Sequence, residues 1–204
     1  LCNPNAPTGR LLPLKEVERI LSSNEDKLIA ADEAYIDFGG ETAAGIVNRY
    51  PNLIVTQTLS KSRQLAGMRV GLAIASKPLI AGLNAVKNSF NSYPIDRLAQ
   101  VIGLASMEDS GYIQENAQKI MQTRMYTQKA LEDLGFEMTD SKANFIFVKH
   151  PHYDAQKLFQ QLRERGILVR YFPQPRIDQY LRITIGTQTQ METLVQQIKD
   201  ILQA

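Results

Sequence analysis

Leu53-Ile54-Val55-Thr56-Gln57-Thr58-Leu59-Ser60-Lys61 opens as a β-branched run and closes on a lysine. Branched side chains suit a pleated strand, so Lys61 is expected just past a strand end. Eight residues on, Arg69 stands in Leu65-Ala66-Gly67-Met68-Arg69-Val70-Gly71. Upstream, the apolar run Leu28-Ile29-Ala30-Ala31 ends in Asp32-Glu33-Ala34-Tyr35. An acid, a phenol, a lysine and an arginine therefore all fall where strands end. The strands lack polar alternation and are separated by helical segments, which predicts an α/β architecture with helices on both faces of the sheet.

Working outward, Asn3-Pro4-Asn5-Ala6-Pro7-Thr8-Gly9 is turn chemistry: two prolines remove backbone donors and Gly9 permits positive φ. An amphipathic helix is expected around Leu14 to Leu21. Strands are expected over Lys27 to Ala31, Leu53 to Thr58 and Met68 to Ala75, and a helix over Lys77 to Lys87. Pro94 is placed to open a helix through Leu98, Val101, Ile102 and Ala105. From Gly111 to Gly135 apolar residues recur with a helical period between two glycines, which predicts one long helix. Beyond it the order is strand Asn144 to Lys149, helix Ala155 to Arg165, strand Ile167 to Tyr171, strand Leu181 to Ile185 and helix Thr189 to Leu202. Two domains are expected: 1–110, with a mostly parallel sheet between helices, and 111–204, a connecting long helix with a smaller α+β domain.

The 204 residues are 44% hydrophobic, ample for a packed core, and 23 basic against 21 acidic residues leave a net charge of +2. No Lys/Arg block gives a footprint for nucleic acid or an anionic membrane, so small-molecule partners are expected. A single cysteine, Cys2, excludes an internal disulfide framework and fits a reducing, cytoplasmic setting. No apolar run approaches a membrane-spanning length. The chain begins at Leu1-Cys2-Asn3-Pro4, in a loop and without an initiator Met, and is read as the later part of a longer protein.

Lysine is the side chain that forms a Schiff base with an aldehyde cofactor; for Lys61 a solvated loop lysine is the alternative. Ser60 and Thr58 offer hydroxyls to a phosphate, and Arg69 offers a planar fork that can grip phosphate oxygens in pairs. Asp32 closes an apolar strand, where a carboxylate wants a cation or donor such as a pyridinium N–H; a turn or helix-cap aspartate is the alternative. Tyr35 could bond a phenolic oxygen of the cofactor or simply pack. Together these residues form the toolkit of pyridoxal phosphate chemistry. Arg182, in Leu181-Arg182-Ile183-Thr184-Ile185, and Arg170, in Ile167-Leu168-Val169-Arg170, each place a cation in a β-type run and so want an anion nearby, unless they sit on an edge facing water. His150 and His152 lack an accompanying Cys or acid cluster; a surface turn is expected and no metal.

Six motifs in order give the chain its family likeness: Asn3 to Gly9, Asp32 to Phe38, Leu59-Ser60-Lys61, Leu65 to Gly71, Asn144 to Val148 and Leu181 to Thr187. With them the chain resembles the fold-type I aminotransferases, and among these the histidinol-phosphate aminotransferase subfamily. The resemblance runs from Asn3 to the C-terminus. It implies the later part of a large α/β domain followed by a small α+β domain, with pyridoxal 5'-phosphate as cofactor. It further implies Lys61 as the lysine bonded to the cofactor aldehyde, Asp32 on the pyridine nitrogen, Tyr35 on the 3-oxygen, and Ser60 and Arg69 on the phosphate. Arg182 would hold the substrate anion and Arg170 the substrate's phosphate. Many relatives carry Asn directly before the Pro-Thr-Gly; here that residue is Ala6, and Asn5 is the stand-in. The implied partners are an amino donor and a 2-oxo acid, histidinol phosphate with 2-oxoglutarate, in a homodimer. Rival expectations are an aromatic or branched-chain aminotransferase, a phosphothreonine-type decarboxylase, or an effector-binding module of a regulator on the same fold. The family's front half supplies further cofactor contacts, so the isolated chain is expected to bind the cofactor weakly and to be inactive.

Overall fold

In the computed structural model, which describes residues 1–203, the strand expected over Leu53 to Thr58 is β2, and β1 (Ile29–Asp32) runs parallel to it with Ile29 opposite Leu53 and Asp32 opposite Thr56. Leu1 to Asn3 lie along the other edge of β1: Asp32 N–H donates to the Leu1 carbonyl at 2.7 Å and Asn3 N–H to the Asp32 carbonyl at 2.8 Å. β3 (Gly71–Ala75) pairs antiparallel with β2, from Thr58 opposite Gly71 to Ile54 opposite Ala75. The connection suits the reversal: a loop with a short 3₁₀ turn, Ala66–Met68, joins β2 to β3, with no crossover helix of the kind that usually links parallel strands.

The chain divides into two compact units. The first holds Leu1–Asn5 and Leu11–Asn116; the second holds Ala6–Arg10 and the chain from Ala117 onward. In the first, α1 (Leu14–Ser22) lays Val17 and Leu21 against Ala31, Leu53 and Val55, with Ala43, Ile46 and Val47 completing the cluster. At roughly 1.5–3 kcal/mol for each large apolar side chain removed from water, this cluster is what holds the strands in register. α2 (Lys77–Phe90) has no buried residue. α3 (Arg97–Glu108) buries only Ala99 and Gly103. Val86, Phe90, Tyr93, Leu98, Val101 and Leu104 stand exposed on and between these two helices. Pro94 does not open α3. Asp96 does, because its side chain accepts from Ala99 N–H at 2.9 Å and so satisfies a donor that the first turn leaves orphaned.

α4 (Ser110–Glu132) is the long helix expected between Gly111 and Gly135. Beyond it, β4 (Glu137–Met138), β5 (Phe145–Lys149), β6 (Arg170–Tyr171) and β7 (Leu181–Thr184) form an antiparallel sheet in the order β4-β5-β7-β6. Alternation sends Ile146, Val148, Leu181 and Ile183 into one core with α5 (Ala155–Glu164) and α6 (Gln188–Leu202). The strand expected from Ile167 to Tyr171 is paired only at Arg170 and Tyr171. Gly166, at φ 77°, closes α5, and Ile167 N–H turns back to the Leu162 carbonyl at 2.9 Å, so Ile167 still belongs to the helix end. α6 starts on a full capping box, Thr187 and Gln190 each bonding the other's backbone N–H.

Loop 6–10 belongs to this second unit because Lys142 N–H donates to the Gly9 carbonyl at 2.8 Å and Thr139 Oγ1 to the Thr8 carbonyl at 2.5 Å. Gly9 has φ 73°, and a Cβ there would stand 2.2 Å from Ser141 Oγ, so no other residue fits without displacing Ser141. Arg124 of α4 is buried and donates to the Ala143 carbonyl at 2.6 Å; burial pushes its guanidinium pKa down, against a raising influence of Asp140. No helix among the described residues is long and apolar enough to cross a membrane.

Candidate functional site

The topology of the first unit gathers the strand-end residues at one end of its sheet. β1 and β2 are parallel and both finish there, while β3 begins there, so Asp32, the last residue of β1, and Ser60, Lys61 and Arg69, just past β2 or before β3, all lie at the same end. Leu59 N–H donates to the Val70 carbonyl at 3.1 Å, which adds one rung past the sheet and sets Ser60 and Arg69 on either side of the opening.

Asp32 is exposed; one oxygen accepts Ala34 N–H at 3.1 Å, a turn bond, and the other carries no hydrogen bond among the described residues. The bond is that of a turn aspartate, and it leaves one carboxylate oxygen open. Tyr35 is half-buried at the head of the 3₁₀ turn Ile36–Phe38. Lys61 Nζ lies 5.4 Å from the centroid of its ring, within cation–π range. Lys61 itself is exposed.

Ser60 offers a hydroxyl with no partner among the described residues, its backbone N–H being held by Thr58 Oγ1 at 3.1 Å. Arg69 takes a left-handed backbone, φ 55° and ψ 37°, and among the described residues its side chain bonds only the Ala66 carbonyl, at 2.8 Å. A non-glycine residue in that region costs about 1 kcal/mol or more and tends to mark a functional position. Asn5 is half-buried in the turn that follows Asn3.

Beneath these residues lies a layer that sequence reasoning missed. Glu33 is 2% exposed, and its carboxylate accepts from Thr42 Oγ1 at 2.5 Å, Ala43 N–H at 2.7 Å and Gln57 Nε2 at 2.9 Å. It ties the end of β1 to the end of β2, directly behind Asp32. Asn3, also buried, accepts from Leu12 N–H at 2.7 Å and donates to the Leu12 carbonyl at 3.0 Å, which fixes the entry of the proline turn. The only signal for either was a polar residue set among apolar or proline-rich neighbours.

In the second unit Arg182 and Arg170 are direct cross-strand partners, and Phe147 stands opposite Arg182 on the far side. The three side chains share the face turned away from the helical core. The Arg182 guanidinium carbon lies 5.1 Å from the Phe145 ring centroid and 5.7 Å from that of Phe172; for Arg170 over Phe172 the distance is 5.6 Å. Like charges opposite each other on a sheet repel, yet neither arginine makes an ion pair among the described residues. Phe172 is a further residue that sequence reasoning did not single out. The two histidines fall in the turn after β5, with ring centroids 6.2 Å apart, and no group of three metal-ligating side chains exists among the described residues.

Residues 1–198 match the family described as aminotransferase class I and II, and the chain belongs to that family. Among curated relatives it is 57% identical over 200 residues to histidinol-phosphate aminotransferase 1 of Hydrogenovibrio crunogenus, covering 98% of this chain and 56% of that protein. It is also 56% identical over 203 residues to histidinol-phosphate aminotransferase of Acinetobacter baumannii, covering 99% of this chain and again 56% of the relative. The chain thus spans little more than half the length of these relatives. Among solved structures, histidinol-phosphate aminotransferase from Sinorhizobium meliloti, in complex with pyridoxal-5'-phosphate, superposes with a TM-score of 0.86 at 25% identity, over 98% of this chain and 57% of that one. The enzyme of the same name from Clostridium acetobutylicum gives 0.91 at 24% identity, over 98% and 62%, and shares the fold. The α/β class expected from the sequence, the later part of a fold-type I large domain followed by a smaller α+β domain, is the one found.

Proposed function

We propose that the chain is the later part of a pyridoxal 5'-phosphate-dependent aminotransferase that acts on histidinol phosphate with 2-oxoglutarate in histidine biosynthesis. The observation that carries this reading is the set of open groups at one sheet end: Lys61 Nζ over the Tyr35 ring, a free Asp32 oxygen, a free Ser60 hydroxyl and an Arg69 fork occupied by one carbonyl. These donors and acceptors fit the cofactor's parts in kind, an amine for its aldehyde, an anion for its ring N–H, and a hydroxyl with a guanidinium for its phosphate.

When bound, pyridoxal phosphate supplies an aldehyde that takes up the amino group and a ring that accepts the electrons left at the α carbon. Lys61 Nζ would hold the cofactor's aldehyde carbon and, when free, would remove the proton at the substrate's α carbon as general base. Asp32 would hold the proton on the ring nitrogen. Tyr35 and Asn5 would donate toward the 3-oxygen, and Ser60 and Arg69 would orient the phosphate.

Arg182 takes the substrate anion, which is the phosphate of histidinol phosphate or the carboxylate of glutamate and 2-oxoglutarate, and Arg170 helps bind the phosphate. Support comes from their adjacency: two unpaired guanidinium groups side by side repel, and an anion between them removes the repulsion. Phe145 and Phe172 hold the Arg182 fork from its faces and restrict its rotamers. A homodimer is proposed for the intact protein, supported by the apolar side chains that α2 and α3 leave in water. The cytoplasm is the proposed compartment, in keeping with the single, unpaired cysteine. Turnover of histidinol phosphate beside phenylalanine tests the substrate assignment: a preference for phenylalanine would move the protein to the aromatic aminotransferases.

A further inference from the structure

We infer that Asp37, acting through Ser62, is a positioning residue that fixes the backbone of Lys61; the inference rests on the role proposed for Lys61 above. Ser62, the residue after Lys61, is 5% exposed, whereas Lys61 is in water. The Ser62 hydroxyl donates to Asp37 Oδ2. Asp37 sits in the 3₁₀ turn between Ile36 and Phe38, which are 5% and 1% exposed and anchor that turn in the core. The turn is therefore a fixed point, and the loop after β2 is fastened to it.

Lys61 has a long, flexible, exposed side chain whose Nζ meets the Tyr35 ring. Its placement therefore depends on its backbone, and the neighbouring hydroxyl is the group that holds that backbone. Tyr35 heads the same turn, so the bond that holds Ser62 to Asp37 also sets the Tyr35 ring against Lys61 Nζ, at 5.4 Å. Within the loop, Gln64 N–H returns to the Lys61 carbonyl at 3.1 Å and Leu65 N–H to the Leu59 carbonyl at 3.0 Å. The loop is thus closed on itself locally and pinned through its buried serine. A charged acceptor makes that pin stronger than a bond between neutral groups.

The test uses the intact protein and its Ser62→Ala, Asp37→Ala and Asp37→Asn variants, with two readouts besides activity. The first is amide exchange of residues 60–65 in cofactor-free protein. The second is the rate at which pyridoxal phosphate, trapped with borohydride, labels Lys61. Ser62→Ala and Asp37→Ala are each expected to raise loop exchange about tenfold, the effect of losing roughly one charge-assisted bond, and to slow labelling. The double variant is expected to be no worse than either single one, since both remove the same bond. Asp37→Asn keeps an acceptor oxygen in place and is expected to retain most of the protection. Parental exchange in Ser62→Ala, or losses that add in the double variant, would overturn the inference. If parental Lys61 takes no label at all, the proposed role of Lys61 falls, while the exchange measurement still decides whether Asp37 holds the loop.

Discussion

Replacing Glu33 by Ala should loosen the sheet end that carries Asp32 without touching Asp32 itself. Glu33 receives three hydrogen bonds while almost wholly buried. Losing the carboxylate orphans the Ala43 N–H, in a buried bond, at a cost of about 1–3 kcal/mol. Thr42 is exposed and Gln57 half-exposed, so their donors can turn to water at little cost. The space left by the side chain adds about 1 kcal/mol more. The total is about 3 kcal/mol, or roughly two orders of magnitude in the opening equilibrium. Glu33→Gln keeps the shape and one acceptor for Ala43 N–H, and the Thr42 hydroxyl can rotate to accept from the new amide, so about 1 kcal/mol is expected. Native-state amide exchange over β1 and β2 measures both changes locally, without assuming that the two units unfold together. Protection in Glu33→Ala within a factor of about three of the parent, or equal losses in the two variants, would refute the reasoning, because then the three hydrogen bonds do not hold the strand ends.

Arg182→Ala is expected to reduce kcat/KM by more than tenfold for both histidinol phosphate and glutamate, and Arg170→Ala to do so mainly for the phosphorylated substrate; equal losses for Arg170 would make it structural. Thr187→Ala removes the capping box of α6 and should cost about 1 kcal/mol of stability in the second unit, read by chemical denaturation. Gly9→Ala meets both a positive φ and Ser141 Oγ at 2.2 Å, so a loss of about 2 kcal/mol or more is expected in the same assay, and an unchanged midpoint would show that loop 6–10 is free to move.

Much of the fold was legible because hydrophobic pattern and breakers agree locally. The β-branched run Leu53 to Thr58 is a strand on its stated bounds, and the apolar period between Gly111 and Gly135 is one helix. Element ends decided by competition between caps were less so. Pro94 lost the start of α3 to Asp96, whose side chain supplies a bond that proline cannot, and the helix-end turn at Gly166 kept Ile167 out of the sheet. β4 escaped notice because two residues, Glu137 and Met138, carry no periodicity and exist as a strand only through pairing with Val148 and Lys149.

The site divides along the same line. That Asp32 and Lys61 stand at strand ends could be read from where apolar runs stop, and parallel pairing of β1 and β2 then puts them at one end of the sheet; Arg69 joins them because the antiparallel β3 starts there. The direct opposition of Arg170 and Arg182 depends on register, which a pair of short strands does not announce. The bonds of Glu33 with Gln57 and of Asp37 with Ser62 join residues 24 and 25 positions apart, and no local pattern specifies such partners.

Borohydride reduction of the intact protein with pyridoxal phosphate, followed by peptide mapping, tests the central claim most directly. One phosphopyridoxyl group on Lys61 is expected, with loss of both the label and the visible absorption band in Lys61→Ala. Labelling of a different lysine, or a Lys61→Ala protein that keeps the band and turns over histidinol phosphate at the parental rate, would contradict it.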